Sequence, residues 1–196
     1  MQFPHNCMNA TLGNQEVTCQ CYDADMVPQT STSLSMYSIK LYSLYLQDNN
    51  IVQMEGRPFQ GLKALHVLDM SYNSLNTLYG GVFIGLSALI NLDISDNELV
   101  DIDQRSFNGL AMLLLLDLSS NKLAALPLGL FAEARSLDTL QLQQNEIVDL
   151  HESTFETLIE LGYLDMSFNN LISLPVGLFD QQLDLLNLIL SNNKLS

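Results

Sequence analysis

The sequence predicts an α/β solenoid, a right-handed spiral of short coils with a parallel sheet on its concave side and a mostly irregular or short-helical convex side. Three observations carry this prediction. An asparagine recurs every 24 residues, a pair of apolar residues lies three and five positions before each asparagine, and a phenylalanine lies ten positions after all but the last. A fixed repeat period is the signature of stacked units. We number the coils 1 to 7 by their asparagines, which are Asn49, Asn73, Asn97, Asn121, Asn145, Asn169 and Asn193.

The apolar pair of each coil predicts a short strand. In coil 4, Leu116 and Leu118 are two residues apart and therefore point to one face of a strand, while Asp117 points to the other. One coil is too short to enclose its own leucines, so only stacking makes the core continuous. The strands of successive coils then form a parallel sheet with a spacing of roughly 4.8 Å.

The recurring asparagine predicts a structural role at the turn that follows each strand. A sharp turn leaves backbone N–H and C=O groups without partners, and an asparagine amide can both donate to and accept from such groups. An aspartate could only accept, and an alanine would leave buried groups unpaired at roughly 1–3 kcal/mol each. We therefore expect all seven asparagines to hold the scaffold together rather than to form a binding site.

The recurring phenylalanines predict a second apolar ladder opposite the strands, which would thicken the convex side and bend the array. They are Phe59, Phe83, Phe107, Phe131, Phe155 and Phe179. The even coils carry a glycine two residues before the phenylalanine, namely Gly81, Gly129 and Gly177. Because glycine allows positive φ, we expect the backbone of the return segments to alternate between odd and even coils.

The pattern LxxLxLxxNxL followed by phenylalanine resembles the leucine-rich repeat in its 24-residue class and covers about residues 34–196. The segments LPLGLF (126–131) and LPVGLF (174–179) look like the version common in extracellular receptors. The resemblance implies a leucine-rich-repeat horseshoe whose concave sheet binds partners. It divides the chain into residues 1–33 and a repeat array at 34–196, with seven repeats, the last truncated, and no C-terminal cap.

Residues 1–33 carry Cys7, Cys19 and Cys21 immediately before the repeats. This segment resembles the cysteine-rich N-terminal cap of extracellular leucine-rich proteins, with its C-x-C motif followed by DADMVP. That cap usually has four cysteines in two disulfides, and the fourth is absent here. The resemblance therefore implies a disulfide between Cys7 and either Cys19 or Cys21, with one thiol left over. Zinc held by these cysteines and His5 is the alternative, although the spacing fits no common zinc pattern.

The two chain ends give further expectations. The N-terminus has no basic segment leading into an apolar one, so the chain reads as mature or as cytosolic. At the other end, Leu185, Leu188 and Leu190 of coil 7 would form an open apolar edge, which favours association between copies. We therefore expect the native array to continue beyond Ser196, and an uncovered edge to self-associate.

Composition excludes several classes of partner. Seven Lys and Arg residues against 22 Asp and Glu give a formal net charge of -15. This balance disfavours nucleic acid, whose phosphates require basic patches, as well as anionic membrane surfaces. No apolar run reaches the roughly 18 residues of a membrane-spanning helix, so this part of the chain is expected to have no direct membrane contact.

Catalytic motifs are also missing from the sequence. His5, His66 and His151 fall in the cap, on a strand and on a return segment, and no Ser-His-Asp set, glycine-rich phosphate loop or paired metal ligands accompany them. We therefore predict that the protein is not an enzyme and that it uses no cofactor and no metal.

The candidate ligand-binding residues are those that face solvent from the predicted sheet. Asp69, Asp93 and Asp117 fall between the strand leucines of consecutive coils, with Asp96 beside them. Such neighbours repel by roughly 0.8 kcal/mol in water, and a basic ligand would turn this repulsion into attraction. The alternatives are that LDLS and LDMS are common repeat sequences without a binding role, or that calcium bridges the ladder. Aromatic residues, which are favoured at interfaces, complete the set: Tyr45, Tyr72, Tyr163 and Phe168.

These expectations combine into a protein-recognition module, the N-terminal part of a secreted or cell-surface receptor that binds a protein ligand with a basic surface. A role in innate immunity rests on family analogy alone. In such an extracellular protein, Asn9 would be a glycan acceptor, since it begins the N-x-S/T tripeptide NAT. The alternatives are a structural or adhesive protein of the extracellular matrix, and a cytosolic scaffold.

Overall fold

The computed structural model describes residues 41–54 and 56–196, and the backbone of residues 7–13 and 16–21. Within them a nine-stranded sheet has the order β1-β2-β3-β4-β6-β8-β9-β10-β11, and β5 pairs with β7 in a second, two-stranded sheet. The strands are β1 Cys7–Gly13, β2 Glu16–Cys21, β3 Leu41–Tyr45, β4 Val67–Asp69, β5 Thr77–Leu78, β6 Asn91–Asp93, β7 Asp101–Ile102, β8 Leu115–Asp117, β9 Thr139–Gln141, β10 Tyr163–Asp165 and β11 Asn187–Ile189. The predicted solenoid with a parallel concave sheet is confirmed.

The strands are short and in register because each coil has the same length. From β3 to β11 every neighbouring pair is parallel, and equivalent residues stand side by side, as Leu92 does with Leu116. Leu116 is fully buried, while its neighbours Leu115 and Asp117 are half-buried on the opposite face. The alternation predicted for the strand therefore separates a core face from a face open to solvent.

The core runs through all coils as two ladders. Strand leucines fill the side beneath the sheet, and the six phenylalanine rings stack behind them with centroids 6.0–6.3 Å apart. Strands of a sheet lie only about 4.8 Å apart. Because the convex ladder is spaced more widely than the sheet, the array must bend towards the sheet. The predicted second apolar ladder is confirmed.

The asparagines join each coil to its neighbour as predicted. Asn121 accepts a hydrogen bond at Oδ1 from the Leu99 N–H of the preceding coil, at 3.0 Å. Its Nδ2 donates to the carbonyls of Ile94, Leu118 and Ser119 at 3.0–3.1 Å. The same Oδ1 bond to the preceding coil recurs at each asparagine from Asn73 to Asn193.

The residue before each asparagine has a left-handed backbone, which the sequence did not reveal. The φ angles at this position lie between 51° and 57° in all seven coils, at Asp48, Tyr72, Asp96, Ser120, Gln144, Phe168 and Asn192. Such a conformation is uncommon for residues other than glycine and is strained for bulky ones. The coil imposes it, whatever side chain it carries.

Apart from the two-residue strands β5 and β7, the described return segments consist of turns and irregular backbone, and the described residues include no helix. Bonds such as Ser106 N to Asp103 O and Leu110 N to Phe107 O connect residues three apart, as expected for a mostly irregular convex side. The even-coil glycines have φ between +78° and +84°, a region that glycine adopts readily. The predicted positive φ at these positions is therefore observed.

The N-terminal strands form an antiparallel hairpin that extends the sheet. The backbone register of β1 and β2 places Cys7 opposite Cys21, and β2 pairs in parallel with β3. The cysteine and Asn9 side chains, His5, and the proposed boundary between residues 33 and 34 lie outside what the structure describes. The disulfide, the glycan and the two-domain division therefore stay predictions.

Coil 7 has a less covered core than the other coils. Leu188 is 39% exposed, whereas its equivalent Leu164 in coil 6 is fully buried. Leu183 and Leu186 are almost fully exposed, and Leu185 and Leu190 are partly buried. Leu185, Leu188 and Leu190 are therefore less covered than their equivalents in coil 6.

Candidate functional site

The side of the sheet opposite the core, which we call the concave face, is built from four positions in each coil. In coil 4 they are the half-buried Leu115 and Asp117 on β8, and the buried Ser119 and half-buried Ser120 in the turn that follows. None of these positions in the seven coils is Lys, Arg or His. Several are aspartates, namely Asp48, Asp69, Asp93, Asp96, Asp117 and Asp165. These positions therefore carry six aspartates and no cationic residue, and five of the six aspartates lie in coils 1 to 4.

Asp69, Asp93 and Asp117 lie side by side on β4, β6 and β8, as the sequence predicted. Each carboxylate also closes the turn behind its own strand, because its Oδ1 accepts a hydrogen bond from the backbone N–H two residues ahead, at 2.8–3.0 Å. The hydroxyls of Ser71 and Ser95 add bonds of 2.7 Å to the same oxygens of Asp69 and Asp93.

These aspartates therefore have a structural role, and each remains half-buried rather than fully buried. No residue in the described part of the chain bonds to Oδ2 of the three, which leaves one oxygen of each free for a ligand. The motif LD[LMI]S has a physical reason within the repeat, and this reason does not exclude binding.

Burial and mutual repulsion disfavour the ionised forms of Asp93 and Asp117. The pKa of Asp93 and that of Asp117 are raised, first because burial disfavours the charged form, and further by neighbouring carboxylates including Asp96. The bonds from Ser95 and Ser119 oppose this shift and do not cancel it. A positive charge brought to this surface would relieve the repulsion.

Tyr72 lies within the acidic cluster. Its side chain is 58% exposed, at a backbone φ of 53°. The negative charge of Asp96 is the first cause that raises the pKa of the Tyr72 phenol, with smaller contributions from Asp48 and Asp93. An exposed aromatic face among carboxylates is chemistry that accepts ammonium and guanidinium groups.

The remaining aromatic candidates are distributed over both ends. Tyr45 lies on β3, half-buried, in the coil before Asp69. Tyr163 lies on β10, also half-buried, and Phe168 follows in the turn of the same coil, 54% exposed at a φ of 54°. The structure therefore brings Tyr45 and Tyr72 next to the aspartates, and places Tyr163 and Phe168 at the far end.

Coil 5 interrupts the pattern with a sequence signal that is easy to overlook. Its segment LQLQQN places Gln141, Gln143 and Gln144 where other coils have aspartate and serine. Gln143 Nε2 donates to Gln141 Oε1 at 3.3 Å, and Ser120 Oγ donates to Gln144 Oε1 at 2.7 Å. Gln143 Oε1 is buried without a hydrogen-bond partner. Coil 5 is therefore a neutral step between the acidic coils 1 to 4 and coil 6, which carries Asp165.

Other clusters are less suited to a site. Across the described residues, no three His, Cys, Asp or Glu side chains converge to hold a metal ion. His66 stacks on Tyr42 at 4.3 Å between ring centroids, and His151 Nδ1 accepts the Ser153 N–H at 3.1 Å on the convex side. The described residues also include no helix that is long and apolar enough to cross a bilayer.

A shallow cavity of about 640 Å³ opens on the convex side between coils 5 and 6. Its lining includes Glu152, Glu156 and Asp180 beside the exposed Val176. This group supplies a second acidic surface, remote from the concave face, with which the concave face can be compared.

Comparison with known proteins gives a consistent result. The family model described as leucine rich repeat matches residues 39–99, 87–147 and 135–195. The crystal structure of the TLR13–ssRNA13 complex is similar at 30% identity with a TM-score of 0.74, over 78% of this chain and 23% of that one. An internalin (inlF) from Listeria monocytogenes str. 4b F2365 is similar in fold at 24% identity and a TM-score of 0.61, over 80% of this chain and 43% of that one. No curated protein matches the sequence, and the chain spans less than half of either structural neighbour.

Proposed function

Because the chain belongs to the leucine-rich repeat family, we propose that it is a recognition module that binds a basic protein surface through its concave face. One observation carries the proposal: in the described coils the concave face presents aspartates on neighbouring strands, and its four positions per coil include no lysine, arginine or histidine. Opposite charge steers a partner to such a face and fixes its orientation.

A nucleic acid is the partner that the TLR13–ssRNA13 complex suggests by analogy. The charges of this chain argue against it, because RNA binding needs cations that neutralise phosphates. The concave face would instead repel an RNA backbone. We therefore favour a protein partner and retain RNA as an outcome of the test.

The test uses a fluorescein-labelled oligolysine peptide and a single-stranded RNA of similar length, titrated by fluorescence anisotropy at low salt. The variant Asp69→Asn/Asp93→Asn/Asp117→Asn removes three charges and retains each Oδ1 as a turn acceptor. It is gentler than reversal to lysine, which would also remove the turn bonds. The matched control, Glu152→Gln/Glu156→Gln/Asp180→Asn, removes three charges from the convex side.

We expect the concave variant to bind the peptide at least tenfold more weakly, and the convex control to bind within twofold of the unmodified protein. Equal losses in both variants would mean that net charge alone attracts the peptide, and would sink the proposal. Tighter binding of RNA than of oligolysine would do the same.

The same proposal extends to location. We propose an extracellular protein, secreted or part of a receptor ectodomain, on the resemblance of residues 1–33 to a cysteine-rich cap and on the backbone pairing of Cys7 with Cys21. Intact mass spectrometry of the natively expressed protein tests this: a disulfide and a glycan on Asn9 support it, whereas three free thiols and no glycan would favour a cytosolic scaffold. Innate immunity is supported only by the TLR13 neighbour.

We propose no catalytic activity for this chain, because His66 and His151 lie in separate parts of the described structure, the former stacked on Tyr42 and the latter on the convex side.

A further inference from the structure

We propose that the concave face reads a bipartite segment of its partner, with cationic side chains over coils 1–4 and apolar or aromatic side chains over coils 6 and 7. This inference rests on the proposed function and adds the character and polarity of the partner. The acidic half is defined by Asp48, Asp69, Asp93, Asp96 and Asp117, and the neutral half by Gln141, Gln144, Tyr163, Phe168 and Ile189. The neutral half therefore begins at coil 5.

The acidic half is suited to cations by charge and by available atoms. Its three strand aspartates use Oδ1 for their own turns and leave Oδ2 uncommitted. Asp48 and Asp96 extend the charge to the turn beside the sheet, on either side of Tyr72 in the order of the coils. A lysine or arginine placed here would meet carboxylates and an exposed aromatic face together.

The neutral half has a different composition on the same scaffold. Coil 5 has glutamines at the positions that carry aspartate and serine in coil 4, and coil 7 has Ile189 at the aspartate position. Asp165 is the one concave aspartate in coils 5 to 7, and its Oδ1 accepts the Ser167 N–H at 2.8 Å. Around it lie Tyr163, Phe168 and Ile189, which offer apolar contact area rather than charge.

Phe168 supplies the strongest argument for a binding role in this half. It occupies the left-handed position with a large side chain and leaves 54% of it in solvent. The conformation is costly for a bulky residue, and apolar exposure adds no stability. Asn192 occupies the equivalent position in the next coil, so the scaffold accepts a small residue there. Because Phe168 does not stabilise the fold, its role is to contact a partner.

The separation of the halves sets the length of the partner segment. From coil 3 to coil 6 there are three strand spacings, about 14 Å. A helix covers this distance with roughly ten residues, and an extended strand with roughly four or five. The complementary partner is therefore a short segment that crosses the strands, with its cationic and apolar groups separated by about that distance.

The experiment compares two labelled peptides of equal composition, length and charge. In the block peptide, four lysines and four Leu and Phe residues are separated by an alanine-rich spacer of about ten residues, and the second peptide is a scramble. We expect the block peptide to bind at least tenfold more tightly than the scramble. Asp69→Asn/Asp93→Asn/Asp117→Asn should weaken it and reduce its salt dependence, whereas Phe168→Asn should weaken it with the salt dependence unchanged.

The direction in which the block peptide lies across the coils gives a second readout. A nitroxide on the lysine end of the block peptide should broaden the amide resonances of coils 2–4, and a nitroxide on the apolar end those of coils 6 and 7. Equal affinity for block and scramble, or the reverse broadening pattern, would overturn the inference. If oligolysine still binds the concave face in that case, the proposed function stands without the bipartite partner; if no cationic peptide binds there, both fail.

Discussion

Replacing Asn121 by alanine tests how the coils are held together, and the hydrogen bonds set its magnitude. The carbonyls of Ile94 and Leu118 each accept from a second asparagine, and that of Ser119 accepts from the Asp96 N–H. These carbonyls keep a donor in the variant. The Leu99 N–H, in contrast, has Asn121 Oδ1 as its hydrogen-bond acceptor and would be left buried and unpaired.

One orphaned N–H costs roughly 1–3 kcal/mol, and the lost Nδ2 bonds add a smaller amount. We therefore expect Asn121→Ala to lower the free energy of unfolding by about 2–4 kcal/mol. Asn50 provides the control, because it is exposed and its replacement by alanine should change stability by less than about 0.5 kcal/mol.

Aspartate at the same position gives a sharper result. Asn121→Asp keeps the Leu99 bond but directs a carboxylate oxygen at three carbonyl oxygens that now lie 3.0–3.1 Å from Nδ2. Burial and repulsion would raise the pKa of the new carboxyl in the folded state above its unfolded value. Its protonated form can donate, so the variant should be most stable relative to the native protein at low pH and lose stability as pH rises through the folded pKa.

Urea unfolding followed by circular dichroism at pH 7 and at pH 4 measures these differences. The order of stability expected at pH 7 is native, then alanine, then aspartate, with the gap between the two variants narrowing at pH 4. An aspartate variant as stable as the native protein at pH 7 would refute the assigned role of Nδ2. So would a gap that does not change with pH.

Further predictions concern the concave face and the core. Asp93→Asn should stabilise the protein at pH 7. Because folding raises the pKa of Asp93, the native protein is more stable below the unfolded-state pKa of this group and loses that stability as pH rises through its folded-state pKa. Thermal melts should therefore show a gain for the variant at pH 7 and none at pH 3. Asp117→Ala should instead destabilise by about 1–3 kcal/mol, because it removes the acceptor of the Ser119 N–H; a urea midpoint equal to that of Asp117→Asn would contradict this. Phe168→Gly should raise the free energy of unfolding by roughly 0.5–1 kcal/mol, because it relieves the strain of the left-handed backbone. In anisotropy titrations the same variant should bind the block peptide more weakly. Phe107→Ala should cost about 3–5 kcal/mol, and a loss in calorimetry below 1 kcal/mol would show that the ladder is not well packed.

The fold could be read from the sequence because the same physical demand recurs in every coil. The spacing of Leu116, Leu118 and Asn121 defines a strand and its turn, and the 24-residue period puts equivalent residues in register. The candidate site was less accessible. The positions of Asp69, Asp93 and Asp117 followed from alternation, and an Asp-x-Ser pattern recurs there, but the bonds between these residues were visible only in the structure.

The left-handed position shows the limit most clearly. It is occupied by residues as different as Asp48, Tyr72 and Gln144, so the residue type at this position does not predict the conformation. The neutral step of coil 5 was visible as LQLQQN, yet its meaning depends on knowing that Gln141 stands beside Asp117 in the sheet.

The measurement that tests the central claim most directly is an NMR titration of the isotope-labelled protein with the oligolysine peptide. The account predicts chemical-shift changes centred on the amides of Tyr45, Asp69, Asp93 and Asp117, with residues 152–157 of the acidic convex cavity unaffected. Changes centred on the convex cavity, or spread evenly over both acidic surfaces, would contradict recognition through the concave face.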